Sequence, residues 1–394
     1  MIILAAIALA LAGFGLAQGA TGLWALGRFR TRTLAPAPRD LPGVSVLKPL
    51  YGDEALLDVA LASNFRQTYP VFQLVFGVKS PDDAALAVVE RLRARFPAVD
   101  VAVVICPDEH GTNRKIGNLI NMLPAAKHDV LVIADSDVHV APTYLGRLVA
   151  CLALPQVGLV TTLYTGLAAS RTIVARLGAT AISHGFLPGA LMARELGRQD
   201  CLGATMALRA DTLGRIGGFR ALVDHLADDY VLGRLVEAHG LQVHLADAIV
   251  ATTVPETRFG QLFRHELRWA RTIRAIEPAG FAASAVQYPL AWALVAILLS
   301  GAAEWAVLSF AVAWLGRAFI ARRLDARLGL AKSALATPAP LWLLPLRDLM
   351  SILIMLASVG SDRVEWRGTE MHADHADLPT NDDPTARAPA PQRT

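Results

Sequence analysis

Two aspartates that flank a single serine follow an apolar run in the middle of the chain. Asp135 and Asp137 come directly after VLVIA, residues 130–134. In an extended segment, side chains two residues apart point to the same side, so the two carboxylates can converge on one ligand. Carboxylate oxygens suit hard divalent cations, and such a cation can neutralise a diphosphate leaving group. The alternative is a turn in which Asp and Ser form local hydrogen bonds.

A second acidic pair, Asp228-Asp229, opens the helical pattern YVLGRLVEAHG. Aspartate is favoured at helix N-termini because its side chain accepts backbone hydrogen bonds there. The alternative is a general base placed at the start of a helix. Both can hold, with one aspartate capping the helix and the other facing a cleft.

A basic stretch, residues 258–275, carries the sequence HELRW from His265 to Trp269. Arg268 within it can bind a diphosphate through the planar fork of donors on its guanidinium group. The alternative is a helix that lies on anionic lipid beside a membrane. Both interpretations are compatible, because the stretch leads directly into an apolar block.

Apolar runs that alternate with helical patterns must position these groups. They predict an α/β fold, with a mostly parallel sheet covered on both faces and ligands bound at the carboxyl ends of its strands. One helical pattern covers residues 82–96. No GxGxxG follows the first strand and no GxxxxGK[ST] occurs, which disfavours a dinucleotide dehydrogenase or a P-loop enzyme. The predicted strands are 44–50, 72–78, 101–106 and 130–134.

The apolar excess of the chain lies at its two ends. The chain has 394 residues, 54% of them hydrophobic, and a mean hydropathy of +0.42. Residues 1–27 contain no charged side chain and are long enough for a helical anchor across a hydrocarbon core of about 30 Å. A secretory signal peptide would instead carry positive charge before a shorter apolar run. The arginines that follow residue 27 predict that this end of the anchor is cytoplasmic.

A second apolar block covers residues 278–361 and predicts a helical hairpin plus a third segment that spans the membrane or re-enters it. Residues 36–275 predict one α/β domain, and residues 370–394 predict a disordered tail. The sequence thus predicts a multi-pass protein of the inner (plasma) membrane with a cytoplasmic catalytic domain. The hairpin arms and the third segment are roughly 281–301, 303–321 and 339–360.

Charge and cysteine usage exclude several classes of protein. The net charge is +3 and the basic residues are scattered, which argues against a nucleic-acid partner. The three cysteines are widely spaced and form no CxxC pair, which argues against a zinc or redox motif and fits reduced thiols in the cytosol.

The combination of a DxD-type motif after a strand, a later Asp-Asp-Tyr and an RW pair before a membrane hairpin resembles the family 2-like GT-A glycosyltransferases. The chain resembles the ceramide glucosyltransferase family, family 21, more closely, and within it the bacterial hopanoid-biosynthesis glycosyltransferases. The resemblance covers about residues 1–365. It is carried by VSVLKPLYGDE (44–54), TNRKIGNLIN (112–121), ISHGF (182–186), Cys201 with GATMALR (203–209), and IGGF (216–219).

This resemblance implies a GT-A fold and a role for each matching residue. Asp135 and Asp137 would bind Mg²⁺ or Mn²⁺, Asp135 would also face the donor diphosphate, and Asp229 would take the acceptor proton. Arg268 and Trp269 match a (Q/R)xxRW motif that closes over the diphosphate and the acceptor. The other matching residues would line the nucleotide end (Lys48, Pro49, Lys115) or the acceptor region (His184, Cys201, Asp228, His265).

Two positions depart from the family pattern. The family's first aspartate follows the second strand, where this chain has Ser80, and Asp82 or Asp83 can substitute as a donor-binding residue. His265 stands where the family has Gln or Arg, so its charge would vary with pH.

The expected function is an inverting transfer from a UDP-sugar to a membrane lipid, because one carboxylate base without an evident nucleophile suggests a single displacement. Within the resemblance, the leading pair is UDP-N-acetylglucosamine and a hopanoid polyol such as bacteriohopanetetrol. The alternative pair is UDP-glucose and ceramide. A non-catalytic membrane protein that binds nucleotide sugar is the alternative from another class. A processive polysaccharide synthase is disfavoured, because three or four membrane segments are few for a polymer channel.

Overall fold

The computed structural model describes residues 1–330, 337–361, 363–366 and 369–372. Within this part of the chain, an eight-stranded sheet is covered by helices, and apolar helices that precede and follow the sheet in sequence pack together. The strands are β1 (Val44–Pro49), β2 (Phe72–Val78), β3 (Asp100–Ile105), β4 (Val130–Ala134), β5 (Val138–His139), β6 (Val157–Ala168), β7 (Thr205–Arg209), β8 (Gln242–Val254), β9 (Arg363–Trp366) and β10 (Thr369–His372).

Helices connect the strands and continue beyond the sheet. A π-helical segment, Ile182–Phe186, joins two of them. The α-helices are α1 (Ile2–Thr31), α2 (Leu57–Phe65), α3 (Ala85–Arg95), α4 (Arg114–Met122), α5 (Tyr144–Leu152), α6 (Ile173–Ala181), α7 (Leu187–Glu195), α8 (Ala210–Arg215), α9 (Asp228–Ala238), α10 (Phe259–Ile276), α11 (Pro278–Ala283), α12 (Pro289–Leu299), α13 (Glu304–Leu328) and α14 (Leu344–Ser358).

The sheet has the strand order β3-β2-β1-β4-β7-β6-β8-β5. Strands β3, β2, β1 and β4 are parallel neighbours, and β6 pairs in parallel with β8. Strand β7 runs antiparallel between β4 and β6, and the short β5 is antiparallel to β8. This mixed but mostly parallel sheet confirms the predicted α/β, GT-A fold class.

The apolar strands are buried on both faces because their side chains alternate between two cores. In β1, Val44 and Val46 pack in one core with α2, α3 and α5, whereas Leu47 packs in the other core with α4 and α9. This double burial explains why continuous apolar runs predicted strands. Two predicted strands, 72–78 and 130–134, match residue for residue, and the other two differ by one residue at their ends.

Helix α3 begins later than the predicted pattern 82–96. The Oδ1 atom of Asp83 accepts hydrogen bonds from the backbone N–H groups of Ala85 and Gly52, both at 2.9 Å. Asp83 therefore joins the start of α3 to the loop that follows β1.

Helix α1 packs against the rest of the chain along its whole length. Ala5 and Ala8 contact Ala296 of α12, and small residues at such positions let two helices approach closely. At the other end, Leu26 packs with β6, β8 and α13. Just beyond α1, the guanidinium of Arg32 pairs with the carboxylate of Asp247 in β8.

Among the residues that the structure describes, three helical segments are long and apolar enough to cross a membrane: α1, α13 and Leu341–Ser358. A fourth candidate is the pair Pro278–Gln287 and Pro289–Leu299, which is bent by 71°. The first arm of the predicted hairpin is therefore a bent pair of helices, and the second arm, α13, is longer than the predicted 303–321.

The third predicted segment, about 339–360, contains one regular helix. Pro345 does not interrupt α14, because it lies in the first turn, where proline replaces an amide that has no helical partner. Further along, β10 pairs antiparallel with β9 and includes 370–372, the first residues of the predicted disordered tail. The remainder of that prediction, 373–394, lies outside the described residues.

Candidate active site

Lys115 links the two acidic pairs that the sequence singles out. Its Nζ lies 2.9 Å from Oδ1 of Asp135 and 3.3 Å from Oδ2 of Asp228. The carboxylates of Asp135 and Asp228 hold the pKa of Lys115 above its usual range even though burial lowers it. Asn113, the N-cap of α4, donates to Asp228 at 3.3 Å and fixes the start of the helix that carries Lys115.

Residues 135–137 form a turn between β4 and β5, so the predicted extended conformation is wrong. The N–H of Val138 donates to the carbonyl of Asp135 at 3.3 Å. The physical reason is long-range pairing: β5 leaves the direction of β4 and joins β8, where Val138 lies opposite Thr252. The turn interpretation therefore describes the backbone, while both carboxylates remain at the carboxyl end of β4.

The turn after β4 concentrates negative charge. Burial, with the charges of Asp135 and Glu54, raises the pKa of Asp137 to about 6, although the Thr252 hydroxyl donates to its carboxylate. Within the described residues, no group of three or more His, Cys, Asp or Glu side chains is arranged to hold a metal ion by itself. A cation held by these two aspartates would need further oxygen ligands, which a diphosphate and water could supply.

Lys48 lies beneath this turn at the end of β1. The side chain is fully buried, and its Nζ donates to the carbonyl of Asp135 at 2.7 Å. Burial lowers the pKa of Lys48 to about 8, against the opposing effect of the nearby carboxylates. Lys48 thus stabilises the turn through its hydrogen bond to the Asp135 carbonyl. Pro49 is the last residue of β1 and pairs with Gly77 of β2.

Asp228 and Asp229 lie in the first turn of α9, whose N-cap position is occupied by Ala227. Neither aspartate therefore caps the helix in the predicted way. Asp228 is buried and held by Lys115, whereas Asp229 accepts a hydrogen bond from the N–H of Tyr230 at 2.8 Å. Burial and the charge of Asp228 raise the pKa of Asp229 to about 6, and Lys115 opposes this shift.

Gly203 allows a close approach to Asp229 that the sequence analysis did not identify. A Cβ atom at Gly203 would lie 2.8 Å from Oδ2 of Asp229, so only glycine leaves this carboxylate in place. Cys201 is buried in the core beneath α9. A Cβ atom added at Gly233 of α9 would lie 3.0 Å from the Cβ atom of Cys201. Burial raises the pKa of the Cys201 thiol well above its usual value, which fits a packing role.

Tyr164 connects the acidic residues to α10. Burial and the charges of Asp229, Asp135 and Asp137 raise the pKa of its hydroxyl. Its ring stacks on Phe186 of the π-helical segment with 4.5 Å between centroids, and Trp269 packs into the same cluster. A single tyrosine within an apolar strand carries no sequence signal, so this contact required the structure.

In helix α10, His265 lies beside Trp269. The ring of His265 makes an edge contact with that of Trp269 at 4.6 Å, and its Nδ1 bonds the carboxylate of Glu256. Although burial opposes it, the bond to His265 and the charge of Arg268 hold the pKa of Glu256 below its usual range. Arg268 therefore lies near Glu256, a residue with no motif around it in the sequence.

The loops at the carboxyl ends of β1 and β2 contribute acidic residues. Glu54 accepts a hydrogen bond from the hydroxyl of Ser136, which places it against the turn, although no motif in the sequence singles out this glutamate. Asp83 binds the same loop through Gly52. Asp82 is exposed, and its N–H donates to the hydroxyl of Ser80 at 3.2 Å.

His184 lies away from this group of acidic residues. It is buried in the π-helical segment, and its Nε2 lies 2.8 Å from Oδ1 of Asp325 in α13. The structure therefore directs His184 towards the apolar helices, while its neighbours Ile182 and Phe186 pack with Trp269.

The chain is similar in sequence to curated ceramide glucosyltransferases. A ceramide glucosyltransferase of Komagataella phaffii is 34% identical over 129 residues, 32% of this chain and 25% of that protein. Ceramide glucosyltransferase 3 of Caenorhabditis elegans is 22% identical over 258 residues, 64% of this chain and 55% of that protein. The chain thus spans between a quarter and about half of the length of these curated relatives.

A solved structure of a mannosyltransferase from Pyrobaculum calidifontis, in complex with GDP-Man and Mn²⁺, is similar with a TM-score of 0.49 and 20% identity, over 91% of this chain and 99% of that chain. The family model described as glycosyl transferase family 21 matches residues 3–377. Because this match covers nearly the whole sequence, the chain belongs to glycosyl transferase family 21.

Proposed function

We propose that this protein is an inverting glycosyltransferase that moves a sugar from a UDP-sugar to a hydroxyl group of a membrane lipid. The family supports glycosyl transfer. The observation that carries the proposal is the bridge from Lys115 to Asp135 and Asp228, which brings Asp229 and the turn after β4 to one side of the sheet.

Asp229 is the proposed general base. As the acceptor oxygen attacks the anomeric carbon, Asp229 takes the hydroxyl proton, the bond between the sugar and the diphosphate breaks, and UDP leaves. A positioned base of this kind contributes about 10²–10⁴ in rate. The pKa of about 6 suits the role, because Asp229 is ionised at neutral pH and is more basic than an exposed carboxylate.

Asp135 and Asp137 are the proposed ligands of a divalent cation. A bound Mg²⁺ or Mn²⁺ would neutralise charge on the departing diphosphate. Arg268 supplies guanidinium donors for the same diphosphate. Trp269, which packs against the same apolar cluster as Tyr164, would cover the site. Lys115 holds Asp135 in position and, through Asp228, the start of α9.

The apolar helices support an acceptor that stays in a bilayer. Helices α1 and α13 and the segment Leu341–Ser358 have the length and composition of membrane spans, and α10 with its basic residues leads into them. We place the sheet on the cytoplasmic side of the plasma membrane because arginines follow α1. The domain limits 1–27, 36–275 and 278–361 are part of this proposal.

The identity of donor and acceptor is the finer part of the proposal. The curated relatives are named ceramide glucosyltransferases, which favours UDP-glucose and ceramide. The pair of UDP-N-acetylglucosamine and a hopanoid polyol is supported by the sequence resemblance alone.

Transfer assays with the purified full-length protein test the proposal. Each donor is combined with each acceptor, and the lipid products are separated by thin-layer chromatography with and without Mn²⁺. We expect a glycolipid product from the wild type, a loss of about 10² or more in rate for Asp229→Asn, and unchanged UDP-sugar binding in that variant. Asp211→Asn, an exposed change in α8, is the control.

Two results would contradict the proposal. Full turnover in Asp229→Asn would remove Asp229 from the mechanism. Binding of UDP-sugar without any glycolipid product would favour the non-catalytic alternative.

A further inference from the structure

Two consecutive threonines of β8, Thr252 and Thr253, contact Asp137 through its side chain and its main chain. The hydroxyl of Thr252 bonds Oδ2 of the Asp137 carboxylate. The N–H and the hydroxyl of Thr253 each lie 3.3 Å from the carbonyl oxygen of Asp137 and donate to it. Successive side chains of a strand point to opposite faces, so the two threonines reach Asp137 through different groups.

A buried histidine fixes the direction of the Thr253 hydroxyl. Nε2 of His139 lies 2.8 Å from this oxygen. The hydroxyl has one hydrogen, which it donates to the Asp137 carbonyl, so it accepts a hydrogen bond from Nε2 of His139. His139 and Thr253 are 3% and 6% exposed, and water therefore does not compete for these bonds. The main chain at Asp137 is thus held by buried contacts between β5 and β8.

The carboxylate of Asp137 can still rotate on a fixed main chain, and Thr252 restricts that rotation. An ionised carboxylate only accepts hydrogen bonds, so the Thr252 hydroxyl donates to Oδ2. Within the part of the chain that the structure describes, Oδ1 of Asp137 makes no hydrogen bond, and the residue is only half-buried. One oxygen of the carboxylate is therefore bound to β8, and the other is left for a ligand.

The two aspartates of the turn after β4 are held in different ways. Asp135 pairs with Lys115 at 2.9 Å. Among the described residues, no lysine or arginine forms an ion pair with Asp137, so its orientation depends on the neutral hydroxyl of Thr252. A neutral partner orients the carboxylate without cancelling the negative charge that attracts a cation.

The number of carboxylate oxygens that a divalent cation takes depends on the cation. Ca²⁺ accepts about six to eight oxygen ligands, and a carboxylate can bind it through both oxygens. Mg²⁺ is smaller, requires near-ideal octahedral geometry, and is bound through one or two carboxylates together with substrate phosphates. A carboxylate whose Oδ2 is engaged by a hydroxyl offers one oxygen, which suits a small octahedral cation better than Ca²⁺.

We propose that Thr252 is a positioning residue that makes Asp137 bind the divalent cation through Oδ1 alone and so selects Mg²⁺ or Mn²⁺ over Ca²⁺. The inference rests on the proposed function, in which Asp135 and Asp137 are the ligands of that cation. Thr252 touches neither the cation nor the diphosphate and acts through the orientation of one carboxylate. Threonine is common in β-strands, so the sequence carries no signal for this role.

Cation-dependent binding of UDP tests the proposal without an acceptor lipid. UDP is titrated calorimetrically into the full-length protein in detergent at a series of Mn²⁺ or Ca²⁺ concentrations, which gives an apparent affinity for each cation. Thr252→Val replaces the hydroxyl by a methyl group and frees Oδ2. Loss of a group that orients a metal ligand typically weakens metal binding about 10–100-fold. We expect the affinity for Mn²⁺ to fall about tenfold and that for Ca²⁺ to stay the same.

The ratio of the two affinities is the decisive quantity. A changed charge on Asp137 or partial unfolding would weaken both cations equally and leave the ratio unchanged. Thr252→Ser keeps the hydroxyl and should restore the wild-type ratio. Thr165→Val is the matched control, because this buried hydroxyl lies in the neighbouring strand β6 and donates to the Val250 carbonyl at 3.3 Å.

Two results would overturn the role of Thr252: an unchanged ratio in Thr252→Val, and a ratio that Thr252→Ser fails to restore. A different result would contradict the proposed cation site itself, and this inference with it. That result is UDP binding by the wild type that neither Mn²⁺ nor Ca²⁺ affects.

Discussion

Arg347 of α14 binds Glu266 of α10 with both terminal nitrogens of its guanidinium group, each 2.7 Å from a carboxylate oxygen. The side chains are only 3% and 12% exposed. Glu266 lies between His265 and Arg268 in sequence, so this pair connects the helix of the proposed diphosphate-binding residue to an apolar helix. The orientation of α10 over the site therefore depends on α14.

Replacement of one member of this pair should be strongly destabilising. Arg347→Met leaves the Glu266 carboxylate buried without its bidentate partner, which costs about 3–5 kcal/mol. We expect lower thermal stability in detergent and loss of transfer. The double variant Glu266→Leu/Arg347→Met should recover much of the stability, because no unpaired charge remains. Arg322→Met, an exposed change on α13, should have little effect, and equal losses in both single arginine variants would contradict this role.

The rate of transfer should depend on pH through Asp229. Its raised pKa of about 6 means that the base becomes protonated and inactive as the pH falls through this value. We expect kcat/KM to fall about tenfold per pH unit below that point and to be level from pH 7 to 8. A pH profile of initial rates with saturating cation measures this. A profile that stays flat down to pH 5 would exclude Asp229 as the base.

Removal of the charge of Lys115 should move that profile. Lys115 opposes the rise in the pKa of Asp229, so Lys115→Met should shift the acidic limb to higher pH and also loosen the contact with Asp135. Lys115→Arg keeps the charge and should keep the limb close to its original position. An unshifted limb in Lys115→Met would show that the bridge has no electrostatic effect on the base.

A methyl group at Gly203 should act on Asp229 directly. In Gly203→Ala the new Cβ would lie 2.8 Å from Oδ2 of Asp229, so the carboxylate must move. Displacement of a reacting group by about 1 Å can cost about 10² in rate, and we expect a fall in kcat of that order. Gly214→Ala in α8 is the matched control, since a Cβ there meets nothing within 4 Å. Wild-type kcat in Gly203→Ala would contradict the placement of the base.

Chelation of divalent cations should abolish transfer, and the same cations should tighten binding of UDP. We expect the tightening to disappear in Asp137→Asn, because this change removes a negative charge from the turn after β4. Calorimetric titration of UDP with and without Mn²⁺ measures both effects. If UDP binding still depends on the cation in Asp137→Asn, Asp137 is not a ligand of that cation.

Local patterns predicted much of the scaffold because its strands are buried on both faces. The run 130–134 is apolar throughout, since Val132 and Ile133 point into different cores. The turn at 135–137 was not predictable in the same way, because it follows from the pairing of β5 with β8, more than 100 residues away in sequence.

The acidic residues of the site were predicted from their types, but their contacts were not. Nothing near Lys115 in sequence indicates that it joins Asp135 to Asp228. Tyr164 and Gly203 are single residues within apolar stretches. Their proximity to Asp229 arises only when β6 and the segment before β7 come together with the start of α9. His184 lies in a recognised stretch, yet its side chain points to α13.

The packing of α1 constrains how the protein can be made. Leu26 is buried against the sheet and α13, and Arg32 pairs with Asp247. Removal of α1 would expose these apolar surfaces to water, so a soluble, truncated domain should aggregate when it is expressed. During synthesis, α1 emerges long before α13, and the domain between them cannot complete its packing until α13 has left the ribosome. If α1 and α13 span a membrane as proposed, their insertion and the completion of the fold are coupled steps.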